Sequence, residues 1–111
     1  MTRFMIASKG VARYSVRLSV PRRGGWRVWG GVSGAFERSL AEQESDTVIA
    51  PQVESESRRG RDYVRVTLAM TVAAPDVAQA LATAWWAFRR ATGNDAAGWD
   101  MASAEAEVRR I

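Results

Sequence analysis

The sequence predicts a small α+β protein, an antiparallel sheet with helices on one face. Two observations place strands and one places a helix. Tyr14–Val20 and Tyr63–Val72 alternate apolar and polar residues strictly, and Pro75–Thr92 carries apolar residues at helical spacing. A period of two lines one face of a pleated strand, whereas spacings of three and four line one face of a helix.

In the first strand, Tyr14, Val16, Leu18 and Val20 oppose Ser15, Arg17 and Ser19, and Pro21 with the Gly24-Gly25 pair is expected to end it. Val32, Phe36 and Leu40 then recur at four-residue intervals behind Ser33, a candidate N-cap, which predicts a short helix over Ser33–Gln43. Upstream of it, Trp26–Trp29 fits an extra strand forming a hairpin with the first. Thr47–Ser57 is extended but less regular. Pro51 interrupts it, and a residue without an N–H belongs at a sheet edge. Arg58-Arg59-Gly60-Arg61 reads as a hairpin loop. It leads into the strongest strand, with Val64, Val66, Leu68, Met70 and Val72 on one face.

The main helix is expected from Pro75 to about Thr92. Pro75 suits its first turn, Asp76 and the Arg89-Arg90 pair complement its dipole, and Gly93 stops it. Its core stripe reads Val77, Leu81, Ala84, Trp85 and Phe88. A final strand, Met101–Arg110, sets Ala102, Ala104, Ala106 and Val108 against Ser103, Glu105, Glu107 and Arg109. Small residues on the inner face predict a helix packed close over it.

The element order is strand, helix, strand, strand, helix, strand. Across residues 13–110 this resembles the ferredoxin-like βαββαβ sandwich, by element order and by no sequence motif. Residues 1–10 show no sustained period and read as a flexible N-terminal leader to one α+β domain over 11–111. A chain of 111 residues buries roughly 65% of its unfolded surface, so the core needs no staples.

The composition excludes several chemistries. There is no cysteine and no histidine, which removes disulfides, Ser-His and Cys-His catalysis and the common zinc sites. Neither a metal nor a cofactor is expected. Formal charge is +4, but it is unevenly placed. Residues 1–36 hold Arg3, Lys9, Arg13, Arg17, Arg22, Arg23 and Arg27 and no acid, while the remainder holds nine Arg against twelve acids. Such a split suits an anion-facing edge, or the meeting of one molecule's basic end with another's acidic end. No run approaches the ~18 apolar residues of a membrane span, and the chain reads as cytoplasmic.

Three functional readings follow. The first is a non-catalytic binding or assembly module, a self-associating homodimer, joined through the sheet or through a helix face. Trp86 lies off the core stripe beside Ala82, Thr83 and Arg90, and a large aromatic among small residues is a typical interface anchor. The second is nucleic-acid binding, or docking of an acidic protein, by the basic loop 21–31. There Arg22, Arg23 and Arg27 supply phosphate contacts and Trp26 and Trp29 stacking platforms, with Arg58, Arg59 and Arg61 adding charge. On the open sheet face Tyr63 is the one aromatic available and Glu105 and Glu107 repel phosphate, which argues against base stacking there. The third is a cofactor-free enzyme of the small αβ-barrel kind, using Trp85, Asn94 and Arg65 or the Glu105/Glu107 pair. It requires an enclosed polar pocket.

Overall fold

A computed structural model describes residues 10–57, 62–93 and 97–111. The expected leader therefore lies outside the described residues except for Gly10, as does the loop Arg58–Arg61. The elements are β1 (Ala12–Arg23), α1 (Gly25–Ala41), β2 (Val48–Ser57), β3 (Tyr63–Ala74), α2 (Val77–Thr92) and β4 (Glu105–Arg110), with a single 3-10 turn at Met101–Ser103. The sheet runs β2-β3-β1-β4 with every neighbouring pair antiparallel. This is the ferredoxin-like order.

The predicted alternation sets the register. Leu18 lies opposite Leu68 and Val16 opposite Met70. The inner face of β1 and β3, from Tyr14 to Val20 and from Val64 to Val72, is buried against Trp29, Phe36 and Leu40 of α1 and Ala84, Ala87 and Phe88 of α2. Both helices thus cover one side. Truncating Leu18 or Leu68 to Ala in such a core costs about 2–5 kcal/mol.

Four expectations need correction. Pro21 does not end β1, which continues to Arg23. The Pro21 carbonyl points away from β3 and accepts from the Asp100 N–H at 2.9 Å. Because β4 pairs β1 only as far as Ser19, the missing proline donor costs no ladder bond.

Residues 26–32 are helical and form neither a strand nor a loop. α1 starts at Gly25, well before Ser33, because Gly24 turns the chain at φ 96°. A Cβ at Gly24 would stand 2.6 Å from Val28 Cγ2. The Asp62 carbonyl fixes the turn by accepting from the N–H groups of Gly24 at 2.8 Å and Gly25 at 3.1 Å. The segment 21–31 is therefore a strand end, a tight turn and the first turns of a helix.

In α2, Asp76 is the N-cap and accepts from the Gln79 N–H at 2.8 Å, leaving Pro75 outside the helix. The buried stripe is Ala80, Ala84, Ala87, Phe88 and Ala91. Val77 is exposed, while Leu81 and Trp85 are half-buried flank residues.

β4 is shorter than expected. By register Ala106 lies opposite Leu18 and Val108 opposite Val16, both on the inner face. α2 packs over β4 as it does over β1, with Val108 half-buried against the core, but Ala106 stays exposed at the margin of that cover. At the other edge, β2 carries an irregularity between Ile49 and Gln52, with Ala50 at φ 50° beside Pro51. The predicted edge position of this strand holds. No helix among the described residues is long and apolar enough to cross a membrane.

Candidate functional site

The structure divides the basic segment between interior and surface. Continuing the β1 alternation through Pro21 turns Arg22 to the inner face, where it is 5% exposed. Its guanidinium lies over Trp99, 5.6 Å from the ring centre, and Nη1 donates to the Arg23 carbonyl at 2.8 Å. Arg22 thus closes the end of the core instead of offering a phosphate contact. Trp29 is likewise buried, at 2% exposure, and donates Nε1–H to the Ser55 hydroxyl on β2 at 2.8 Å. Its ring meets Phe36 and Trp99 edge-on, both at 5.6 Å. Trp26 is half exposed, and Arg23 and Arg27 are on the surface. The expected Trp26/Trp29 stacking pair therefore does not form. Arg58, Arg59 and Arg61 lie outside the described residues.

A longer reading of each period would have found both burials. Tyr14, Val16, Leu18, Val20 and Arg22 share one parity. Trp29 stands one heptad before Phe36, on the same side of a helix.

The open face of the sheet is a mosaic of small polar groups and opposed charges. Arg17 meets Glu54 at 3.5 Å, Arg65 meets Glu105 at 3.1 Å, and Ser19 and Thr67 share a hydrogen bond of 2.9 Å. Arg109 lies 3.9 Å from Glu107 on its own strand. Exposed pairs of this kind contribute little stability, about 0–1 kcal/mol each. A cleft of about 560 Å³, lined by Pro21, Tyr63, Arg65, Ser103 and Glu105 among others, lies open at one end of this face. Trp85 and Arg65 project on opposite sides of the sheet, so they do not share a pocket. Asn94 lies outside the described residues.

Trp86 is 58% exposed, on the outer side of α2, and Arg90 is exposed beside it. The Arg90 carbonyl accepts from Ser39 Oγ at 3.3 Å, and the Ala87 carbonyl accepts from Gln43 Nε2 at 2.9 Å. These two bonds fix which flank of α2 faces α1. The opposite flank, about 100° further round from the core line, carries Leu81 and Trp85 and faces the β4 edge.

That edge was not singled out by the sequence. The Ile111 N–H bonds to the Arg13 carbonyl at 3.0 Å, which makes residues 13 and 111 a hydrogen-bonded pair. In an antiparallel ladder such pairs alternate, so Glu105, Glu107 and Arg109 direct their backbone groups at β1. Ala106, Val108 and Arg110 direct theirs outward, where no described strand pairs with them. Beside this unpaired row lie exposed Ala106, half-buried Val108, Leu81 and Trp85, and exposed Ile111. These side chains form the margin of the core, whose inner-face residues on β1 are buried.

No protein-family model and no curated protein matches the chain. Among solved structures it is similar to the de novo designed protein Foldit4, at 16% identity and a TM-score of 0.50, over 89% of this chain and 96% of that one. It is also similar to an unknown protein from Galdieria sulphuraria, at 12% identity and a TM-score of 0.44 over 92% of this chain, spanning 51% of that protein. At these identities the first likeness speaks for the fold alone.

Proposed function

We propose that this chain is a non-catalytic assembly module that works as a homodimer, and that the β4 edge with its overhanging α2 flank is the contact surface. The observation that carries this reading is the outer edge of β4, unpaired among the described residues, with an apolar residue exposed beside it. Ala106 is exposed on the inner face of the sheet, directly opposite buried Leu18 on β1. An unpaired edge next to incompletely covered apolar side chains is a template for another strand. The opposed charges of the open face suit a second copy better than a polyanion, since Glu54, Glu105 and Glu107 stand among its arginines.

Sedimentation velocity of the whole chain from about 1 to 100 μM tests the reading, a range chosen to span common micromolar affinities. A concentration-dependent species of twice the 12.2 kDa monomer mass is expected. A strict monomer throughout overturns it. Oligonucleotide titrations at low and high salt give the competing outcome. Tight, steeply salt-dependent binding by a monomer replaces assembly with nucleic-acid recognition.

A further inference from the structure

The unpaired row on β4 determines how a second copy would fit. Resting on the homodimer reading above, we infer that two copies join β4 to β4 antiparallel about a two-fold axis at Val108, forming one continuous eight-stranded sheet.

Three constraints lead to this register. A two-fold axis perpendicular to the sheet keeps inner faces inner, so a residue can oppose only a residue of its own parity. The outward-directed backbone groups belong to Ala106, Val108 and Arg110, so these must form the hydrogen-bonded pairs. Charge then selects among the remaining registers. With the axis at Val108, Val108 meets Val108 of the second copy, Ala106 meets Arg110, and Glu107 meets Arg109 twice by symmetry. Shifting the axis to Glu107 keeps two opposite pairs, Glu105 with Arg109, but adds a Glu107 carboxylate facing its own copy, and shifting it to Arg109 sets two guanidinium groups against each other. Each of these is unfavourable.

The Val108 register places Glu107 and Arg109 in non-hydrogen-bonded pairs, where facing side chains come closest, with Cα atoms about 4.5 Å apart. On the open face Arg17 already stands beside Glu107 in the register of β1 and β4. The charges therefore alternate across the seam from Arg17 to Glu107 to Arg109 of the second copy. On the inner face the two Val108 side chains meet at the seam, extending the apolar margin of each core. The Arg110 stem lies over the partner's Ala106 while its charged head reaches water.

The experiment uses the whole chain, which contains no cysteine, so an introduced thiol reports alone. A Val108→Cys variant is expected to cross-link to a dimer with a short bifunctional thiol reagent, since a hydrogen-bonded pair holds its Cα atoms about 5.5 Å apart. Trp86→Cys is expected not to cross-link. Glu107→Arg and Arg109→Glu are each expected to weaken homodimerisation on the order of tenfold, because each sets like charges opposite one another twice. Mixing these two variants is expected to restore a heterodimer, whose facing pairs are again opposite in sign. Both positions are exposed, so folding is preserved, and circular dichroism checks it.

A wild-type dimer whose charge variants associate unchanged overturns the register while leaving self-association standing. So does cross-linking through Trp86→Cys and not through Val108→Cys. A wild-type monomer overturns both.

Discussion

Arg22 and Trp99 close one end of the core together, with the guanidinium carbon 5.6 Å from the ring centre and the two residues bridged through their backbones. Guanidinium is weakly hydrated for a cation, and an aromatic face attracts it. That contact needs room, and Gly98 provides it. A Cβ added there would overlap the Arg22 guanidinium.

Gly98→Ala is therefore expected to displace Arg22 and to destabilise the fold by about 1–3 kcal/mol in urea unfolding. In an Arg22→Ala background the same change is expected to cost almost nothing. Equal costs in the two backgrounds would remove Arg22 from the account.

The Trp29 indole N–H and the Ser55 hydroxyl tie α1 to the edge strand β2. Trp29→Phe and Ser55→Ala are each expected to lower stability, and a double-mutant cycle to return a coupling of about 0.5–1.5 kcal/mol. Additive losses would mean that the bond contributes nothing.

Asp76 holds the first turn of α2 through the Gln79 N–H. Asp76→Ala is expected to cost about 1 kcal/mol and Asp76→Ser much less, because a hydroxyl can still accept that bond. Thermal unfolding of the two variants side by side decides it.

α1 carries Gly30 and Gly31 on its exposed side with nothing near an added Cβ. Their φ angles are not in the left-handed region. Each Gly→Ala change is expected to stabilise the protein by about 0.5–1 kcal/mol through lower unfolded-state entropy and better helix propensity. A loss would show that this face packs against something beyond the chain.

The fold was legible because two central strands are half-buried, and half-burial writes itself as alternation. Val64 to Val72 needed no other clue. Legibility failed where local chemistry suggested a break that tertiary structure overrides. Pro21 looked like a terminus, but its missing donor faces the short side of β4, so β1 runs on and carries Arg22 inward. Three glycines, Gly30, Gly31 and Gly34, hid the front of α1, whose helicity comes from burying Trp29 rather than from propensity. The candidate site was less legible still. Ala106 and Val108 look like ordinary inner-face residues, and no pattern in one chain records that Ala106 stays exposed at the margin.

The irregularity at Ala50-Pro51 has a consequence for how many copies can join. Were both rims of the sheet straight and receptive, copies could add head to tail into a filament without limit. Among the described residues the β2 rim is kinked, proline-bearing and lined by Glu54 and Glu56, which disfavours strand pairing there. In the dimer proposed above, a symmetric pairing would use up the one receptive rim among the described residues, and growth would end at two.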